Sequence, residues 1–298
     1  MTSESDSTCL ILAGRSFQFR SASGDRIALP SVFAQFADEP GANAVGARYT
    51  IYPPGAPTDL FVTPDEWIWQ TDTWRMGRLA DGSHLLAIHV LPEETPLTVA
   101  RFIADFSSGD LLRRAGRHGA PAPYAFNYPC DQVAVLNALA PHGVAIVHAG
   151  AVSIDGAGLL FCGKSGAGKT TLSRLCRETG ATLLNDDRQF IWVESGQTWL
   201  APTPWHGSEP EVNNRRVPLR AIFHLEQAPD NQATPVAGVL AAARLLGNTV
   251  APFYRADAMN HTLATMDRIT ARVPSFQLAF TPTPEAVHLC ASIAAAIG

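Results

Sequence analysis

No uninterrupted apolar run in this sequence approaches the ~18 residues that a bilayer-spanning helix needs, so no membrane partner is expected. The opening MTSESDSTCLILAG has no basic segment, and its apolar stretch is too short for a signal peptide. Cys9, Cys130, Cys162, Cys176 and Cys290 are odd in number and never fall in CxxC spacing. That pattern excludes a disulfide framework and a cysteine-based zinc site, and it fits a reducing, cytoplasmic compartment. Positive charge is also short. The net charge is −5 and the pI near 6.0, which argues against an electrostatic grip on nucleic acid or anionic lipid. There is no internal repeat and no low-complexity tract.

What remains is a globular composition, 46% hydrophobic and 16% charged over 298 residues, enough for one large or two modest domains. Residues 1–125 read as short strands and turns and form an expected β-rich N-terminal domain. The clearest piece is Trp67–Leu79, then Asp81-Gly82, then Ser83–Leu91, a hairpin signal in which Trp67, Trp69 and Trp74 alternate on one strand. Tyr52–Pro57 and Gly119–Tyr124 are Pro- and Gly-rich, and the second is the expected seam before a domain over 126–298. There the spacing predicts a helix over Cys130–Leu139, strands over Val144–Val152 and Ala157–Gly163, and a helix over Thr170–Thr179. A strand over Ala181–Asn185, a core strand over Val217–Gln227 and helices over Val236–Leu246, Asp257–Arg272 and Pro284–Ile297 follow.

The chemistry concentrates in GKSGAGKT, residues 163–170, which matches G-x-x-x-x-G-K-[ST] throughout and lies between an apolar strand and a helix. Gly163, Gly166 and Gly168 let the backbone curl, so that N–H groups from Gly163, Lys164, Ser165, Gly166, Ala167 and Gly168 through Thr171 can face phosphate oxygens. Lys169 is placed for the β- and γ-phosphates, and the Thr170 hydroxyl is suited to Mg²⁺. The ligand expected is a purine nucleoside triphosphate, ATP, with Mg²⁺. Asp186 and Asp187 end the next strand, 17 and 18 positions beyond Lys169. Paired carboxylates there can divide two tasks, one holding Mg²⁺ and the other accepting the proton of an attacking hydroxyl. His148, 15 positions before Gly163, is within reach of that end if the two strands pair.

The stretch His148–Asp187, HAGAVSIDGAGLLFCGKSGAGKTTLSRLCRETGATLLNDD, resembles the catalytic core of the HPr kinase/phosphorylase family, whose members phosphorylate a serine on a small protein. The resemblance implies that Lys169 binds phosphate, that Thr170 takes the Mg²⁺-ligand hydroxyl position, and that Asp187 is the proton acceptor with His148 as its partner. It also implies an α/β fold of the HPr kinase/phosphoenolpyruvate carboxykinase-like superfamily, with mixed sheets in a small sandwich and flanking helices.

The sequence departs from the family in three places. Thr170-Thr171 replaces its Ser-Glu, its Glu-Ile-Arg-Gly stretch gives way to Ala201–Leu219, and its N-terminal regulatory domain is not recognisable. The chain is more similar to the diverse HPr-kinase-related proteins, some of which act in peptide natural-product maturation. In the substituted loop, Trp205, His206 and Gly207 are candidates to line an acceptor pocket, and Glu209 or Glu211 to supply a second acidic contact to metal. Arg215 and Arg216, and more remotely Arg255, are candidates to bear transferring charge.

The sequence therefore predicts an ATP- and Mg²⁺-dependent kinase acting on a hydroxyl, of a serine in a protein or peptide or of a small-molecule alcohol. A nucleotide-binding regulatory module without transfer is the remaining reading, and a homo-oligomer is compatible with all three.

Overall fold

The computed structural model describes residues 7–39, 44–56, 63–89, 96–114 and 124–297. Contacts divide the chain into two compact units, Met1–Pro141 and His142–Gly298.

The first unit is built on an eight-stranded sheet. Its strands are β1 (Ser7–Leu12), β2 (Arg15–Ser21), β3 (Val45–Tyr52), β4 (Glu66–Gln70), β5 (Trp74–Arg78), β6 (His84–Ile88), β7 (Thr98–Phe102) and β8 (Ser108–Arg113), in the order β1-β2-β3-β8-β7-β6-β5-β4. The β2–β3 and β3–β8 pairs are parallel and the rest antiparallel. Helix α1 (Cys130–Leu139) has the predicted bounds and belongs by contacts to this unit. The physical reason is Phe126, fully buried, whose ring lies 4.8 Å from that of Phe19 and 5.5 Å from that of Phe33. It draws the segment after 125 into the N-terminal core, and the contact division falls at 141/142. Residues 119–123 of the expected seam lie outside the described residues, as do Pro57, Val90 and Leu91 of the other N-terminal segments.

The long strand expected over Trp67–Leu79 is two. Thr71 breaks it, its hydroxyl bonded to the Trp74 carbonyl (3.0 Å) and receiving the Thr73 and Trp74 N–H groups (3.3 and 3.1 Å). Trp74 therefore lies on β5 and not beside Trp67 and Trp69, between which the β4 register shifts.

The second unit has nine strands: β9 (Val144–Ile154), β10 (Ala157–Cys162), β11 (Thr182–Asn185), β12 (Arg188–Glu194), β13 (Gln197–Pro202), β14 (Val217–Gln227), β15 (Gln232–Val236), β16 (Thr249–Val250) and β17 (Ser275–Phe280). Its helices are α2 (Lys169–Glu178), α3 (Gly238–Leu246), α4 (Ala256–Thr270) and α5 (Pro284–Ile297). The Asp155-Gly156 turn joins β9 to β10 as the sequence predicts, both residues at positive φ (49° and 83°).

The strands pair along β10-β9-β12-β13-β14, and β14 returns to pair in parallel with β10, so this path closes on itself. The architecture is mixed α/β with flanking helices, preceded by the β-rich N-terminal region. Strands β9 and β14 are each 11 residues long. Their length lets β9 pair with β12 through its first half and with β10 through its second. One core, including Val147, Ala149, Leu160 and Ile222, packs with Leu245 of α3 and Met266 of α4. The other face of β10 carries Leu159 and Phe161 against Leu172 of α2 and Val287 of α5.

All five cysteines are buried and unpaired, and burial pushes the Cys162 and Cys176 thiols up to about 12. Among the described residues, no helix is long and apolar enough to cross a membrane.

Candidate active site

The loop between β10 and α2 has close contacts that dictate its glycines. A Cβ on Gly163 would stand 2.8 Å from the Ala167 methyl. Gly168 caps α2 at φ 100°, and a Cβ there would meet the Phe280 ring at 2.8 Å. The curl is held by Ala167 N–H donating to the Lys164 carbonyl (3.1 Å) and by Gln227 Nε2 donating to the Gly166 carbonyl (2.9 Å). The first-turn N–H groups of α2 have no intrahelical acceptor, and with the helix dipole they favour an anion at this end. Lys169 is 8% exposed, and its Nζ donates to the Gly163 and Lys164 carbonyls (2.8 and 3.2 Å). Burial lowers its pKa, while Cys162 and Asp187 act to raise it. Lys164 and Lys169 are the only two lysines in the chain. Thr170 is half-buried in the first helical turn and Thr171 is exposed.

Asp187 and His148 meet. Arg188 and His148 stand opposite each other in the β12–β9 register, which brings His148 Nδ1 to 2.9 Å from Asp187 Oδ1. Arg188 takes the other carboxylate oxygen. Burial alone would raise the Asp187 pKa, but His148, Arg188 and Lys169 together hold it below the usual carboxylate range. The acid is thus an ionised acceptor, oriented from both sides and in the electrostatic reach of Lys169.

Asp186 is used differently from the expectation. It is 4% exposed, and its Oδ1 accepts from Gly207 N (2.8 Å). Its Oδ2 accepts from Ser208 N (3.0 Å), Ser208 Oγ (3.1 Å) and Glu209 N (3.1 Å). Three of the four donors converge on Oδ2 and one on Oδ1, so Asp186 anchors the 207–209 loop through its carboxylate.

Glu209 pairs instead with Arg174 (3.0 Å) and Arg177 (3.4 Å) of α2, which hold its carboxyl below the usual range. Glu211 also reaches Arg177, at 3.5 Å. Trp205 is buried with its ring 6.3 Å from Phe190. His206 is half-buried, with Nδ1 3.2 Å from the Gly207 carbonyl oxygen.

Arg216 binds Glu194 (3.1 Å) and lies over Trp199, just before β14 begins. The P-loop borders the far end of that strand, where Cys162 pairs with His224, roughly 25 Å away along the chain direction. Arg215, next to it, is exposed. Arg255 is 3% exposed, precedes α4 and pairs with Asp257.

Sequence reasoning missed the residues that orient the pair. Asn185, fully buried, accepts from the Asp187 N–H through Oδ1 (2.9 Å) and donates through Nδ2 to the Thr203 and Trp205 carbonyls. Gln189 donates to the carbonyls of Ala149 and Asn185 (3.0 and 2.8 Å), which ties β9 to the end of β11. The available signal was Asn185-Asp186-Asp187-Arg188-Gln189 as a polar run between two apolar strands.

A second feature also escaped the motif. A cavity of about 580 Å³ adjoins the loop backbone on the β14–β17 side, lined by His224, Glu226, Arg244, Asn248 and Gln277. Among the described residues, no group of three or more His, Cys, Asp or Glu side chains converges to hold a metal ion.

A family model described as SynChlorMet cassette protein ScmC matches residues 130–283. No curated protein matches the chain. Among solved structures, the chain is similar to one titled "Structure of the Hpr(Ser) kinase/phosphatase from Coxiella burnetii", at 15% identity and a TM-score of 0.33, over 51% of this chain and 88% of that one.

Proposed function

This chain belongs to the SynChlorMet cassette protein ScmC family, and from the geometry of its loop and of the His148–Asp187 pair we propose an ATP- and Mg²⁺-dependent kinase that phosphorylates a hydroxyl, that of a serine in a protein or peptide. The observation that carries the reading is the 2.9 Å His148–Asp187 pair in electrostatic range of Lys169. A lone P-loop would serve any triphosphate reaction. An oriented, ionised carboxylate beside it supplies what an alcohol acceptor needs.

In this mechanism Asp187 accepts the hydroxyl proton as the oxygen attacks, and His148 and Arg188 keep the carboxylate ionised and aimed. Lys169 exchanges its two carbonyl partners for phosphate oxygens, and the N–H groups of the loop and of the first turn of α2 bear the developing charge. The residues fit a magnesium-bound triphosphate: the loop is shaped by contacts that exclude any Cβ at Gly163 or Gly168, and Thr170 offers a hydroxyl at its end. Mg²⁺, when bound, neutralises phosphate charge. Thr170 is the side chain that would hold the cation on this reading, while Asp186 positions the 207–209 loop.

The test is Asp187→Asn beside Lys169→Ala. Asp187→Asn should retain ATP binding while γ-phosphoryl transfer to the acceptor falls about 10²–10⁴-fold. Lys169→Ala should lose the nucleotide itself. Lysine-directed labelling read by peptide mapping reports the loop, since Lys164 and Lys169 are the chain's only lysines. Unimpaired transfer by Asp187→Asn would remove the base assignment. Transfer to a metabolite alcohol and not to any peptide would move the acceptor class.

A further inference from the structure

Beyond the phosphate loop, the geometry points to the cavity beside it as the receptor for the nucleoside end of the triphosphate, with His224 and Arg244 as the polar contacts. This rests on the triphosphate reading above and deepens it by assigning the half of the ligand that the P-loop does not touch.

The first argument is polarity. Strand β10 lies between β9, which carries His148, and β14, which carries His224 opposite Cys162. A triphosphate with its γ end at Asp187 that runs across β10 reaches the next strand, ~4.8 Å further, which borders the cavity. The volume of about 580 Å³ lies within the range usual for small-molecule sites.

The second argument is an unmet hydrogen bond. His224 is 6% exposed, and its Nε2 is buried with no hydrogen-bond partner. Buried polar atoms are normally satisfied, and this exception stands at a cavity wall, where a bound ligand can supply the partner. Burial foremost, and then Arg244, push the His224 pKa down to about 4. A neutral imidazole offers one donor and one acceptor, a match for a base edge or a ribose hydroxyl and a poor match for a further phosphate.

The third is rigidity. Arg244 donates to Gln277 Oε1, Gln277 Nε2 donates to Glu226 Oε2 (3.0 Å), and Asn248 Nδ2 binds the Arg244 carbonyl (2.9 Å). The guanidinium is thus tethered at the cavity wall, and a guanidinium is a group on which a heteroaromatic ring can stack. The Glu226 carboxylate in the same wall adds an acceptor for a diol or an exocyclic amine.

The experiment compares Mg·ATP with inorganic tripolyphosphate, which has the phosphates and no nucleoside. Binding of both is measured on the full chain as wild type, His224→Ala, Arg244→Ala and Lys169→Ala. Arg244 is half-buried on α3, so its replacement leaves the core intact even if His224→Ala proves unstable. The expected result is a loss of about tenfold or more in ATP affinity for the His224 and Arg244 variants, with tripolyphosphate within about twofold of wild type. Equal losses for both ligands, or none for either, overturn the nucleoside assignment. If that happens while Lys169→Ala still abolishes binding, the P-loop reading stands alone. If Lys169→Ala binds both ligands as wild type does, the triphosphate reading fails and this one with it.

Discussion

Two adjacent carboxylates at 186 and 187 carry opposite duties because neighbouring residues at a strand end project in different directions. Asp187 turns to His148 and Arg188, while Asp186 turns under the 207–209 loop and collects four donors. Asp186→Ala would leave three backbone N–H groups of that loop without their acceptor. The expected cost is roughly 3 kcal/mol in urea unfolding, with faster proteolysis at 206–211. Mg²⁺ affinity for the ATP complex should change little in any population that remains folded. An unchanged urea midpoint together with a large loss of Mg²⁺ affinity would restore the metal-ligand role to Asp186.

At the scale of elements, the candidate site depends on where α2 begins. Gly168 sets that point with a left-handed conformation that brings the helix N-terminus against Phe280 on β17. Gly168→Ala combines backbone strain with overpacking, a loss of about 2–4 kcal/mol, and it shifts the very N–H groups proposed to hold phosphate. Thermal unfolding should show the destabilisation, and tripolyphosphate affinity should fall with it. A variant with wild-type Tm and wild-type affinity would show that α2 is positioned by other contacts. The elements themselves were largely legible. α1, β14 and α5 have the predicted bounds because each has an uninterrupted apolar pattern closed by turn residues or proline. The pattern over Val236–Leu246 read as one helix, yet Val236 ends β15 and α3 starts at Gly238. Strand β17 was not legible, since Ser275–Phe280 is a short mixed run whose strand character comes from pairing with β14 and β15.

At the scale of the whole molecule, stability should depend on pH through His224. Its folded pKa, about 4, lies below the ordinary value of 6.5, so the unfolded chain takes up a proton that the native chain refuses. Stability is therefore full above about pH 6.5, falls as pH drops through the interval, and levels off below about 4, with roughly 3 kcal/mol as the upper bound. The charged groups lining the same cavity are Arg244, Glu226 and Lys164. Comparing wild type with His224→Asn isolates the imidazole contribution, because those neighbours are common to both. Urea midpoints at pH 7.5 and 4.5 provide the check, and parallel pH dependence in the two proteins would refute the assignment. Bound Mg·ATP should stabilise the P-loop unit by mass action, by about 2.7 kcal/mol at a hundredfold excess over Kd, and so raise its unfolding temperature, and Lys169→Ala should lose that gain.

Sequence alone determined the Gly163–Thr170 loop, its flanking strand and helix, and the candidate pair His148 and Asp187. These are local signals, in which eight consecutive residues or a fixed spacing encode the geometry. Only the tertiary structure decided that Asp186 is an anchor, that Glu209 and Arg216 are engaged elsewhere, and that His224, Arg244 and Gln277 share one cavity. Those outcomes depend on which strands pair across the closed β9–β14 path. Residues far apart in the chain meet there because parallel pairing of β10, β14 and β17 stacks the ends of three distant segments beside one loop.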